Sequence, residues 1–352
     1  MPKLMITGAG GSAATNVIDS LLMADSSIKV IACDSSSYML SLAKGDERYR
    51  LPHASSQNYL SELQNLILKT SPDVLQAQPD IEVTTIVNSE IPSLVGTFFP
   101  DRQTIALCSD KSLLNFALRN HEVAIPEAIS LDEESYFEQL RNFIDINGKS
   151  WVRAKVGAGS RASLPVTKVS QASNWISWWR EEKGFAVDNF MISEFLPGKE
   201  FAVQVIFQDG VLIAAEARER VEYLFGFMTP SGQSSSPSVA RTTKRKDIYD
   251  LGLAAVSAVM KKPHGVFGID IKEDKLGIPK VTEINAGRFY TTSHFLARAG
   301  VNMPDMAFKA AQGEKLKPLG IGILEEGLLW IRMMDMGCCL QNKDGEILWR
   351  SK

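Results

Sequence analysis

The apolar positions of the first hundred residues change period repeatedly. Lys3–Thr7, Ile28–Cys33, Val83–Val87 and Thr104–Leu107 are short apolar runs of the kind that form strands. Between the second and third lies Asn58–Thr70, where Leu60, Leu63 and Ile67 recur at helix spacing. Strands separated by helices predict an α/β fold with a parallel, doubly wound sheet. Ligands of such sheets gather at the carboxyl ends of the strands. The glycine-rich turn Gly8–Ser12 falls there.

Near Ser109-Asp110-Lys111 the pattern changes. Ser109 is the expected cap of a helix over Lys111–Asn120, and Ile125-Pro126 closes that unit. A helix over Glu133–Asp145, a turn at Asn147-Gly148 and a strand over Trp151–Val156 follow. After a Trp-rich helix come strands at Phe190–Glu194, Phe201–Phe207 and Val211–Arg218, the last two joined by a hairpin at Gln208-Asp209-Gly210. Met228–Thr243, rich in Ser, Pro, Gly and Thr, reads as a long loop. Then come a helix over Asp247–Lys261, strands over Val266–Ile271 and Lys280–Asn285, and a helix near Asp305–Ala311. A tail containing Leu328–Met333 and Ile347–Trp349 completes the chain, which shows no internal repeat.

Composition narrows the classes. The 352 residues are 45% hydrophobic and 22% charged with a formal net charge of −3, an ordinary balance that gives no electrostatic footprint for nucleic acid. The basic run Lys244-Arg245-Lys246 is short and reads as a solvated helix start. The four cysteines and four histidines show no metal-ligand spacing. No apolar run is long enough to span a bilayer. Unpaired thiols and the lack of an apolar leader set the expectation of a cytoplasmic protein with no membrane partner.

Three stretches carry candidate chemistry. The first, Met5–Asn16, has Gly8, Gly10 and Gly11 after a strand, with Asp34 after the next strand where a ribose-binding acid could sit. Ala13 stands where a dinucleotide fingerprint has its third glycine, so a tight helix–strand turn competes with an NAD site. The second is Arg153–Arg161. Gly157 and Gly159 leave backbone N–H groups free to converge on an anion, with Ser160 beside them and Arg153, Lys155 and Arg161 supplying cations. The third joins Gly268-Ile269-Asp270 to Thr282–Arg288. Glu283 and Asn285 share a strand face by period two, and Asp270 can join them from an adjacent antiparallel strand. Oxygen ligands on one face suit Mg²⁺ completed by phosphate oxygens, and Arg288 is placed to meet phosphoryl charge.

These pieces, in this order, resemble the ATP-grasp superfamily, and within it the branch of the carbamoyl phosphate synthase large subunit. The resemblance covers nearly the whole chain. It implies a Rossmann-like pre-ATP-grasp domain at 1–108, a two-subdomain ATP-grasp domain at 109–312 and a small C-terminal α+β piece at 313–352. Asp110-Lys111 resembles the entry to the grasp, and Arg153–Arg161 the mobile glycine-rich loop. Ile192–Phe201 is similar to the adenine-holding hinge, with Glu194, Phe195 and Leu196 at the base and Glu200 as the ribose acid. Asp270, Glu283 and Asn285 match the metal ligands, and Arg288 the arginine at the transferred phosphate. Ala154 stands where the family has proline, and Asn285-Ala286-Gly287-Arg288 has one residue more than the usual spacing.

The activity so implied is an ADP-forming carboxylate–amine ligase that uses ATP and Mg²⁺, with Mn²⁺ able to substitute. ATP would phosphorylate a carboxylate to an acyl phosphate, which an amine or other nucleophile attacks. The resemblance assigns the first glycine-rich turn to the acceptor side rather than to NAD. Phosphorylation of bicarbonate or carbamate, and a nucleotide-binding regulator without turnover, are the competing readings. A homodimer is compatible with any of them. Arg218 and Arg220, ending a strand, are candidates for holding the acceptor carboxylate or an acyl phosphate. His294 is a candidate for the acceptor side against a structural role. Trp175, Trp178 and Trp179 form a packing stripe, and Cys338-Cys339 a buried tail strand.

Overall fold

The computed structural model describes residues 1–157, 162–229, 232, 236–334 and 337–350. The strands, in chain order, begin with β1 (Lys3–Thr7), β2 (Lys29–Asp34), β3 (Glu47–Arg50) and β4 (Val74–Gln76), which form a parallel sheet in the order β3-β2-β1-β4. Its helices are α1 (Ser12–Ala24), α2 (Ser37–Leu42), α3 (Tyr59–Thr70) and α4 (Asp80–Val87). Strand alternation sorts the two faces. Leu4 and Ile6 pack with Val17, Ile18 and Leu21 of α1, whereas Met5 and Ile31 pack with Leu63 and Ile67 of α3.

Two expected strands are helices. Val83–Val87 lies in α4, where Val83, Ile86 and Val87 are buried at helix spacing behind acidic first-turn residues Asp80 and Glu82. Thr104–Leu107 lies in α5 (Arg102–Ser109), started by the Asp101 carboxylate accepting from the Thr104 amide at 2.7 Å. The fourth parallel strand is β4 instead, only three residues long. Ser109 is not the expected cap: it ends α5, and Asp110 caps α6 (Lys111–Asn120) by accepting from the Ser112 and Leu113 amides.

A small antiparallel sheet follows, ordered β5-β8-β6-β7: β5 (Ala128–Ser130), β6 (Ser150–Ala154), β7 (Leu164–Val166) and β8 (Phe190–Glu194). It is backed by α7 (Tyr136–Asn147) and α8 (Val169–Lys183), with Val152, Phe190 and Ile192 meeting Leu140 and Ile176. The tryptophan stripe of α8 packs as expected: Trp175 and Trp178 stack at 5.9 Å, and Trp179 is buried against Phe185.

The third sheet contains β9 (Glu200–Gln208), β10 (Val211–Tyr223), β11 (Pro237–Thr242), β12 (Gly265–Glu273), β13 (Pro279–Ala286), β14 (Gly320–Ile321), β15 (Leu329–Met333), β16 (Gly337–Gln341) and β17 (Ile347–Arg350). Its order is β13-β12-β9-β10-β11-β15-β16-β17, with β14 beside β10. The β9–β10 hairpin turns at Asp209 and Gly210, both at positive φ, as a two-residue turn requires. β11 lies within the segment expected to be a loop, because its backbone closes a ladder between β10 and β15. Tail strands thus extend this sheet. One face is covered by α9 (Lys246–Val259), with Ile248, Ala255 and Val256 against Val203, Val205, Phe267 and Ile269. On the N-terminal side, α10 (Ser293–Ala299) and α11 (Met303–Ala311) meet α1, with Phe295, Leu296 and Phe308 in the same core as Val17 and Leu21.

Candidate nucleotide and phosphoryl-transfer site

The face of the large sheet away from α9 is apolar where Ile206, Val266 and Trp330 join the core of α1, α10 and α11, and polar around Glu200, Arg220, Asp270 and Glu283, where it lines a cleft that the small sheet also lines. The cleft is open to solvent and has a cavity volume of about 210 Å³. Lys111, Trp151, Arg153, Gly157, Glu194, Phe195, Leu196, Glu200, Arg220, Asp270, Glu283, Asn285 and Arg288 all line it. Ala13, of the helix following the first glycine-rich turn, also lines it, so the N-terminal layer contributes to the same space.

At one end the walls are aromatic. Trp151 and Phe195 lie with ring centroids 6.2 Å apart, and the Lys149 ammonium sits 3.9 Å over the Phe195 ring. Glu194 accepts from the Lys280 ammonium at 2.7 Å, which fixes the turn leading to Leu196. Lys111 is buried, and its Nζ donates to the Gly157 carbonyl at 2.8 Å and lies 4.0 Å from Glu283. Burial pulls the Lys111 pKa down, against the opposing pull of Glu283. Arg153 is buried too, donating to the Thr282 carbonyl at 3.2 Å, and burial likewise lowers its pKa. Lys155 lines a neighbouring cavity behind Lys111 rather than the cleft itself. Gly159, Ser160 and Arg161 lie outside the described residues.

The acids are set by strand register. Asp270 of β12 stands directly opposite Glu283 of β13, and opposite residues of an antiparallel pair share a face. The Asn285 amide lies 3.4 Å from the Asp270 carboxylate. Asp270 also accepts from Arg220 Nη2 at 2.6 Å and from the Tyr290 hydroxyl at 2.7 Å. Burial pushes the Asp270 carboxyl up; Arg220 opposes this and Glu283 adds to it. The two carboxylates, with the Asn285 amide donating to Asp270 and accepting from Arg288, bring together hard oxygen donors of the kind Mg²⁺ takes together with phosphate oxygens. Among the described residues no three His, Cys, Asp or Glu side chains gather into a metal site.

Glu200 is flanked across the sheet by Arg220, whose Nη1 donates at 2.8 Å, and by Lys272 at 3.4 Å; the Tyr223 hydroxyl also bonds it. Burial alone would raise its pKa, but Arg220 and Lys272 outweigh this and hold it below the usual carboxylate range. Arg288 follows β13 after Gly287, whose positive φ loops the extra residue out and returns the arginine to Asn285 and Asp80. Arg218 lies 4.6 Å from the Tyr290 ring centroid, and burial pushes its pKa down to about 10, Tyr290 opposing and Arg220 adding to the shift.

The sequence reading missed Tyr290, Lys272, Lys280, Trp151 and Asp80, all of which border or brace the cleft. Only Tyr290 carried a signal, sitting two residues past Arg288. His294 is structural: Ser20 Oγ and Arg298 Nε meet its two ring nitrogens at 3.0 and 3.1 Å, and burial lowers its pKa to about 4. Asp34 is likewise engaged by its own layer, accepting from the Gly10 and Ser36 amides. Cys339 is partly exposed rather than buried.

The fold has known counterparts. The family model described as ATP-grasp in the biosynthetic pathway with Ter operon matches residues 186–321. Biotin carboxylase from Campylobacter jejuni, solved as a β,γ-ATP complex, superposes with a TM-score of 0.72 at 16% identity, covering 94% of this chain and 76% of that one. L-amino acid ligase from Bacillus licheniformis gives 0.70 at 14% identity over 94% and 79% of the two chains. N5-carboxyaminoimidazole synthetase from Staphylococcus aureus, complexed with ADP, gives 0.70 at 15% identity over 95% and 83%. No curated protein matches the chain in sequence. The chain therefore has the ATP-grasp fold, as its motif order implied. No helix among the described residues is long and apolar enough to cross a membrane.

Proposed function

We propose that the chain is an ATP-dependent, ADP-forming ligase that activates a small-molecule carboxylate as its acyl phosphate and passes the acyl group to an amine or other nucleophile. The observation that carries this is the joining, in one cleft, of an aromatic hinge at Trp151 and Glu194–Leu196 to the cross-strand set Asp270, Glu283 and Asn285, with Arg288 beside it. ATP-liganded and ADP-liganded proteins of the same fold support the reading. Residues 1–108 are assigned to the acceptor side, 109–312 to the grasp and 313–352 to its C-terminal extension.

Asp270, Glu283 and Asn285 would hold Mg²⁺, or Mn²⁺ in its place. A cation held there would supply charge neutralisation for the phosphoryl group in transfer. The chain's own residues do the rest. Trp151 and Phe195 sandwich or abut the base; Glu200, held ionised by Arg220 and Lys272, accepts from the ribose hydroxyls. Lys111 and Arg153, partly desolvated, direct positive charge at the phosphates, where low local dielectric strengthens it. Arg288 meets the transferred group, and Ala13 marks the acceptor side. Catalysis is then positioning plus electrostatics, with no covalent step on the protein.

The test is ADP release by the purified chain with Mg²⁺ against pooled carboxylates and amines. Release that requires both pools is expected. Nucleotide binding with no release would support a regulator, and release independent of both pools would mark an ATPase; either outcome overturns the ligase reading.

A further inference from the structure

Arg218 and Arg220 lie two apart on β10 and share the cleft-facing side of the sheet. Their surroundings differ sharply. Arg220 is matched by Glu200 at 2.8 Å and Asp270 at 2.6 Å. Arg218 is 1% exposed, and its Nε and Nη1 have no hydrogen-bond partner among the described residues. Arg332 brings further positive charge close to it, being bonded to the Thr291 carbonyl and hydroxyl. Tyr290 and, from further off, the Asp270 carboxylate recover part of the cost of burying Arg218, but neither gives its Nε or Nη1 an acceptor.

The unmatched charge is not at the phosphoryl-transfer face. The hydroxyl end of Tyr290 bonds Asp270, while Arg218 lies over the ring face of the same residue. Arg288 already serves the transfer face, through Asn285. Tyr290 and Thr291 line the cleft at this end, together with Ala13 from the acceptor side. Resting on the ligase reading above, we propose that Arg218 receives a second anionic group of the acceptor, so that the carboxylate substrate is a dianion: a dicarboxylate or a phosphate-bearing acid. Either group carries enough oxygens to offer an acceptor to Nε or to Nη1, the two nitrogens that lack one, while sharing Nη2 through the fork on that edge.

The test uses the full chain with Mg²⁺ and a non-hydrolysable ATP analogue, whose own affinity is measured first. Succinate, inorganic phosphate and propionate are then titrated by calorimetry into wild type, Arg218→Met and Arg218→Lys. Wild type is expected to bind succinate or phosphate at least tenfold more tightly than propionate, succinate marking a dicarboxylate and phosphate a phosphorylated acceptor. Arg218→Met should lose that preference, and Arg218→Lys, which keeps charge without the fork, should retain only part of it. Without anion, Arg218→Met should melt no lower than wild type, because it removes an unmatched buried charge. Should Arg218→Met not fold, at least threefold weaker dianion binding by Arg218→Lys carries the test. Unchanged anion binding in the variants, or no preference over propionate in wild type, overturns the proposal. A wild type that fails to bind the analogue instead overturns the ATP reading, and the dianion site with it.

Discussion

Asp80, in the first turn of α4, is ion-paired with Arg288, which follows the last residue of β13. The N-terminal layer therefore holds the arginine assigned to the transferred phosphoryl, although the two residues are far apart in sequence. Burial pushes the Asp80 carboxyl up and Arg288 pulls it back, but the Asp80 side chain is still 42% exposed, so water screens part of the attraction. Replacing Asp80 by Asn keeps the shape and removes the charge. An ion pair this exposed contributes up to about 1 kcal/mol, so ADP formation should fall about 2–5-fold. ATP-analogue affinity should change much less. Equal losses in kcat and analogue affinity would show that Asp80 supports the cleft as a whole rather than Arg288.

Glu283 faces Asp270 across the ladder and raises the cost of ionising Asp270. Glu283→Gln removes one charge at nearly constant volume. As part of a metal clamp its loss should lower Mg²⁺-dependent turnover by roughly 10²–10³ or more, corresponding to about 3–5 kcal/mol. The melting temperature should move little, since repulsion is relieved as the Lys111 contact at 4.0 Å is weakened. Turnover at the wild-type rate in this variant would place the cation elsewhere.

The aromatic end of the cleft gives a separate handle on nucleotide binding. Trp151 is half-buried beside Phe195 on the cleft wall. Aromatic stacking on a base contributes roughly 1–3 kcal/mol, so Trp151→Ala should raise the KM for ATP by about 5–100-fold with kcat nearly unchanged. A drop in kcat at unchanged KM would mean that the base binds away from this wall.

What the sequence made legible was set by the range of the interactions involved. Glu283 and Asn285 share a face through local period-two geometry, so their pairing was readable, and the β12–β13 register brought Asp270 opposite as that geometry allows. The short β4 and the helices α4 and α5 were misread, because segments of three to eight apolar-rich residues satisfy both periods. In α5 the deciding signal was one cap, Asp101, and in α6 it was Asp110 rather than its neighbour Ser109. Asp80 could not be found by motif at all. Its role comes from α4 meeting β13 across layers, a contact no local pattern encodes. Lys272 and Tyr290 were hidden for the same reason: their partners Glu200 and Asp270 are fixed by strand order.

The N-terminal layer also contains a buried acid whose ionisation should govern pH-dependent stability. Glu82 of α4 is 6% exposed, close to Thr7, Tyr59 and Asp34. Burial raises its pKa from 4.5 to about 7, Asp34 adding to the shift while the Thr7 and Tyr59 hydroxyls oppose it. Between those values the native state keeps a proton that the unfolded chain has released. The slope of stability with pH is then negative: the contribution is intact below about 4.5 and is lost as pH rises through about 7. At roughly 1.4 kcal/mol per pH unit, the charged form costs about 3 kcal/mol above pH 8. Glu82→Gln is neutral throughout, so it should match wild type within about 1 kcal/mol at pH 5 and exceed it by roughly 1–3 kcal/mol at pH 8.5. Denaturation of both proteins at the two pH values measures this difference directly, and because other titrating groups are common to both they cancel. A stability gap that is the same at pH 5 and pH 8.5 would mean that Glu82 ionises as it does in the unfolded chain.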